Sequence, residues 1–138
     1  MWERNRFADH SAKFKKDWVQ EFTTAQNLET APGKFNAVRL YTNIQSYTDG
    51  EPIEAFDAAI ETNTYILLGV WASGVTNITG ELNALEKGIK KHGSKLTDLV
   101  IGMSIGSEDL YRVSVTGIKN KSGVGNGPVE ECSQLRPS

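Results

Sequence analysis

Three runs of strand character recur about 30 residues apart, and each follows a stretch whose apolar residues return at helical spacing. Residues 11–29 place Phe14, Trp18, Phe22, Ala25 and Leu28 on one stripe, with Ser11 as the expected N-cap and Ala31-Pro32-Gly33 as the stop. Phe35 to Tyr41 reads as the first strand. Pro52, following Asp49-Gly50-Glu51, suits a first helical position and predicts a helix over about 52–62, with Ile53, Phe56, Ala59 and Ile60 inward. Tyr65 to Trp71 is the second strand. Asn77 then caps a helix with Ile78, Leu82, Leu85 and Ile89 on its period, closed by Lys87, Lys90, Lys91, His92 and Gly93. Leu99 to Ser107 is the third strand. This alternation implies right-handed βαβ crossovers and a parallel sheet, an α/β fold. After Arg112 the periodicity fades, and glycines at 117, 123, 125 and 127 predict loop or tail.

The strand faces locate the candidate chemistry. In the third strand Leu99, Ile101, Met103 and Ile105 share one face, expected to pack on helices. Gly102, Ser104, Gly106 and Glu108 share the other, which ends in an acid at the strand's C-terminal tip. A bulky face opposite a small, polar one suits a barrel wall. Val38 and Leu40 oppose Ala37, Arg39 and Tyr41, while Ile66, Leu68 and Val70 oppose Leu67, Gly69 and Trp71. Tyr41, Trp71 and Glu108 therefore end three strands on the face away from the aliphatic rows, and are expected to converge where α/β proteins keep their ligands. Glu108 reads either as a general acid/base or as an acid favoured by the start of a following helix. Arg39, expected inward, pairs with a carboxylate, either a catalytic one that it orients or a plain buried partner. Trp71 is either core or a flat platform for a sugar ring, and the hydroxyls of Tyr41 and Tyr111 could position a ligand oxygen. Asp49, Glu51, Glu54 and Asp57 read as solvated charges, and Glu130 and Glu131 carry no catalytic assignment.

Composition narrows the function classes. The 138 residues suffice for one domain, and a formal charge of -2 provides no basic field for nucleic acid. No apolar run is long enough to span a bilayer. MWERNRFADH carries charges where a signal peptide needs its apolar centre, so the chain as written is expected to be cytoplasmic. The sequons Asn77-Ile78-Thr79 and Asn120-Lys121-Ser122 only permit secretion. Cys132 has no second cysteine to pair with, and His10 and His92 lack neighbours at ligand spacing, so neither a metal site nor a Ser-His pair is expected. Gly123, Gly125 and Gly127 follow no strand and form no phosphate loop.

The stretch from Ser11 to Lys121 resembles the N-terminal half of fungal-type family 17 glycoside hydrolases, the endo-β-1,3-glucanases and cell-wall glucanosyltransferases. The residues that carry the likeness are Phe35-Asn36-Ala37-Val38-Arg39-Leu40-Tyr41, Leu67-Leu68-Gly69-Val70-Trp71-Ala72-Ser73 and Leu99 to Arg112, LVIGMSIGSEDLYR. The resemblance implies a (β/α)8 TIM barrel of about 250 residues. This chain would supply about strands two to four with their helices. It implies retaining cleavage of β-1,3-glucan or a related polysaccharide without a cofactor. Glu108 would be the proton donor, and Arg39, Tyr41, Trp71, Ser107 and Tyr111 would bind substrate. Many relatives in the wider clan have Asn before the acid; Ser107 matches the fungal branch and could still donate a hydrogen bond. The family is secreted or cell-wall associated.

Retaining chemistry needs a second carboxylate about 5 Å away as nucleophile. The resemblance assigns it to a late barrel strand, so no residue of this chain is expected to fill that role. The expected layout is an atypical segment 1–10, a partial barrel 11–121 and an irregular tail 122–138. Three strands of eight leave unpaired edges, so the isolated chain is expected to be marginally stable or aggregation-prone, and inactive as a retaining hydrolase. Alternatives are a noncatalytic glucan-binding remnant, a truncated gene product, or an independent three-strand protein with an unrelated ligand.

Overall fold

A computed structural model describes residues 5–121; the expectations for Met1 to Arg4, Glu130, Glu131, Cys132 and the 122–138 tail lie outside the described residues. The elements run α1 (Lys15–Gln26), β1 (Ala37–Arg39), α2 (Ala55–Thr62), β2 (Tyr65–Val70), α3 (Thr79–His92), α4 (Ser94–Thr97), β3 (Val100–Ile105), α5 (Asp109–Arg112) and α6 (Val115–Lys119). The three strands form one parallel sheet in the order β1-β2-β3, as the alternating pattern implied. No helix among the described residues is long and apolar enough to cross a membrane.

Burial explains the sheet. Leu40, Ile66, Leu68 and Val70 form the aliphatic row anticipated for one face. Trp18 and Phe22 of α1, with ring centroids 5.9 Å apart, and Ile53, Ala55, Phe56, Ala58 and Ala59 at α2 supply most of the remaining core. Phe14 and Leu28 bracket the α1 stripe but stay half exposed, because the helix itself spans only Lys15–Gln26. Ser11 does not cap it. Its amide and hydroxyl both donate to the Asp9 carboxylate, and the helix start is held by the Phe14 amide donating to Asp17 Oδ2 at 2.9 Å. At the other end Asn27 Nδ2 donates to the Thr23 carbonyl at 2.7 Å. α2 begins at Ala55 rather than Pro52, since Pro52 is drawn into a bridge with Ile44.

Two departures concern packing faces. α3 turns Glu81, Ala84, Leu85 and Gly88 inward, leaving Leu82 and Ile89 exposed. The reason is close approach: a Cβ on Gly88 would lie 2.9 Å from the Phe56 ring, so the helix seats its smallest residues where the core is tightest. The second departure is at β3. Ile66 faces Val100 but Leu67 faces Gly102, so Ile101 is an extra residue in the register. Leu99 is buried as anticipated, whereas Ile101, Met103 and Ile105 are 60, 45 and 61% exposed. Met103 and Ile105 continue the rows of Leu68 and Val70, yet among the described residues no strand pairs with the outer edge of β3. The segment after Arg112 is also more regular than anticipated: Ser114 caps α6 by accepting the Gly117 amide at 3.0 Å.

Candidate active site

The site is built where β3 ends. The Gly106 amide still donates to the Val70 carbonyl at 3.0 Å, so the sheet fixes the strand tip. Gly106 then takes φ +81, Ser107 is buried, and Glu108 adopts φ 58, ψ 30, a left-handed conformation uncommon outside glycine. Around this turn the Ser73 hydroxyl lies 3.0 Å from Asp109 Oδ2 and 3.2 Å from the Ser107 carbonyl oxygen. The Ser107 amide donates back to Ser73 Oγ at 3.1 Å and to Asp109 Oδ2 at 3.3 Å. Buried Arg112 closes the other side, its Nε donating to the Ser107 carbonyl at 2.7 Å.

A cleft of about 350 Å³ opens beside the turn, lined by Arg39, Tyr41 and residues 105–111. It gathers five of the six residues singled out from the sequence: Arg39, Tyr41, Ser107, Glu108 and Tyr111. Glu108 is exposed to it and occupies the position before α5 without making a side-chain cap hydrogen bond. Arg39 is exposed rather than buried. Its Nη2 donates to Ser104 Oγ at 3.2 Å and its guanidinium lies 4.8 Å from the Tyr41 ring centre, so its partners are a hydroxyl and an aromatic face rather than a carboxylate. Water reaches that face of the sheet, which removes the need for an ion pair. The Tyr111 hydroxyl accepts from Asn120 Nδ2 at 3.0 Å. Trp71 is not part of the cleft lining. Its ring lies 5.5 Å from the Arg112 guanidinium, a cation–π contact.

The pattern reading passed over Glu81. This α3 carboxylate is 6% exposed; it accepts the Asn43 amide at 2.6 Å, the Thr42 hydroxyl and the Trp71 amide. It thereby ties the chain after β1 to the chain after β2. Its sequence signal was spacing: Glu81 stands four and seven residues before Leu85 and Gly88, on the face that proves buried. Burial, outweighing these hydrogen bonds, holds its proton affinity above the ordinary value of 4.5. A raised folded value means that Glu81 contributes stability fully below pH 4.5, and that this is lost as pH rises through the folded value. Glu81→Gln is therefore expected to flatten the fall in melting temperature as pH rises above 4.5. Thermal melts across that range check this, and an unchanged slope would contradict it.

No family model matches the chain. Curated relatives do. It is 53% identical over 120 residues to "Probable glucan endo-1,3-beta-glucosidase eglC" of Aspergillus terreus, covering 87% of this chain and 24% of that protein. Proteins of the same name from Aspergillus niger and Aspergillus fumigatus are 48% and 47% identical over 132 and 131 residues. Those matches take in 96% and 95% of this chain but 28% and 29% of the relatives. By sequence the chain is thus similar to one stretch of these fungal proteins, each named as a probable glucan endo-1,3-beta-glucosidase, and spans about a quarter of their length.

Proposed function

We propose that the chain carries the acid–base half of a site that cleaves β-1,3-glucan with retention. The carrying observation is Glu108, exposed in a cleft at the end of a parallel strand beside Arg39, Tyr41 and Tyr111. Its carboxyl would protonate the leaving glycosidic oxygen and then take a proton from water or an acceptor hydroxyl. Tyr41 and Arg39 offer a ring face and donors for the sugar. The other carboxylate of the cleft, Asp109, is turned to Ser73 and to the Ser107 amide, an engagement that suits structure better than nucleophilic attack. The nucleophile is accordingly assigned to a segment outside these 138 residues, and β1, β2 and β3 to consecutive strands of an eight-stranded barrel. The uncovered row Ile101, Met103 and Ile105 supports that assignment, because a further barrel strand and its helix would bury it.

The test uses the 138-residue chain with laminaripentaose and laminarin. Amide shifts at Tyr41, Glu108 and Tyr111 are expected on adding the oligosaccharide, with no reducing sugar released from laminarin. Absence of binding would remove the glucan reading. Release of sugar that Glu108→Gln reduces by about 10²–10⁴-fold would show the site to be complete in this chain. The noncatalytic reading rests on Trp71, Tyr41 and Tyr111 together; because Trp71 is not among the residues that line the cleft, Trp71→Ala is expected to leave affinity nearly unchanged, and loss of binding in that variant would favour the noncatalytic reading.

A further inference from the structure

The backbone of Glu108 raises a question that acid–base chemistry does not answer. A residue with a side chain stays left-handed only when its surroundings over-determine it. Here the neighbours on both sides are fixed. Gly106, two residues before it, takes φ +81, a conformation that favours glycine, and a Cβ there would lie 2.7 Å from Asp109 Oδ2. Asp109 follows it, and one carboxylate oxygen takes both the Ser73 hydroxyl and the Ser107 amide. Ser73 belongs to the loop after β2, so this contact reaches across strands instead of along the turn. The aligned Arg112 Nε bond to the Ser107 carbonyl pins the same peptide from the opposite side.

We infer that Asp109 is a positioning residue: its carboxylate, clasped by Ser73 and the Ser107 amide, holds Glu108 in the left-handed conformation that presents its carboxyl to the cleft. The role of Glu108 rests on the proposed acid–base reading; the brace itself does not. The work of Asp109 is to accept hydrogen bonds in a fixed place, so its charge is secondary. Asparagine can present one oxygen at the same point, whereas alanine presents none. Ser73 is the weaker half of the device, because the Ser107 amide keeps Asp109 as acceptor when the hydroxyl is removed.

The experiment follows φ at Glu108 in the full chain by the HN–Hα and one-bond Cα–Hα couplings, alongside laminaripentaose affinity. In the wild type the couplings should report a positive φ. Asp109→Ala should abolish it and weaken affinity about tenfold. Asp109→Asn should restore both, and Ser73→Ala should shift the couplings partway in the same direction. If Asp109→Ala retains a positive φ, or if the asparagine variant behaves as alanine does, the inference is overturned. Should Asp109→Ala fail to fold, the milder Ser73→Ala decides: unchanged couplings at Glu108 would overturn the brace. A wild-type chain that shows the positive φ but does not bind the oligosaccharide separates failure of the glucan reading from failure of this one.

Discussion

Gly69→Ala is expected to destabilise the fold strongly although it adds only a single methyl group. An ideal Cβ at that position would lie 2.1 Å from the Leu40 carbonyl oxygen and 2.4 Å from the Tyr41 Cα. Both are backbone atoms, so no rotamer change can relieve the overlap; β1 and β2 must separate. That separation would break the bond from the Leu40 amide to the Leu67 carbonyl, 3.0 Å long, and shift the chain that carries Arg39 and Tyr41. The expected loss is about 3 kcal/mol or more. It is a large fraction of a domain's stability and corresponds to a melting temperature lower by about 10 °C. Gly33→Ala is the control, since its Cβ would meet nothing within 4 Å, and it should melt with the wild type. Calorimetry on the pair decides: a Gly69→Ala chain that melts with Gly33→Ala would mean that the two strands do not approach so closely. A chain that folds but no longer shifts at Tyr41 with oligosaccharide would show how directly this glycine shapes the cleft.

Gly69 also marks where pattern reading succeeds and where it stops. The alternation placed Leu67, Gly69 and Trp71 opposite Ile66, Leu68 and Val70, and the aliphatic row is buried as read. The strong periodic signals came from large residues with one dry side, such as Trp18, Phe22, Ile53 and Phe56. Small or polar residues buried for a local reason give no such signal. Glu81 looks like a solvated helix-start acid until the Asn43 amide and the Trp71 amide are seen to need an acceptor. The extra residue Ile101 is invisible as well, because a bulge changes the pairing and leaves the composition unaltered. The cleft was legible in its membership for a simple reason: successive parallel strands deliver their C-terminal tips to one side. Trp71 falls outside it because the contact with Arg112, 41 residues later, could not be read from alternation. The clasp of Ser73, Ser107 and Asp109 was illegible for the same reason, since it joins two loops through side chains that sequence alone treats as ordinary turn residues.

The core behind the sheet carries the second large effect. Phe56 is fully buried and is the largest of the completely enclosed side chains, at the start of α2 among Ile53, Ile66 and Leu96. Truncating it to alanine removes its contacts and leaves a cavity that rigid strands cannot fill, which costs about 3–5 kcal/mol. The contact with Gly88 makes the prediction specific. A Cβ on Gly88 would sit 2.9 Å from two atoms of the Phe56 ring, so Gly88→Ala alone presses α3 away from α2 and should cost about 1–3 kcal/mol. In the double variant that methyl group enters the space the ring has vacated, and alanine also favours the helix by about 1 kcal/mol over glycine. The two changes should therefore be strongly non-additive, with Phe56→Ala/Gly88→Ala at least as stable as Phe56→Ala by itself. Urea denaturation of the four chains provides the cycle. Additive losses would mean that Phe56 and Gly88 do not share a contact, and that α3 packs on the core through the Leu82 and Ile89 stripe after all.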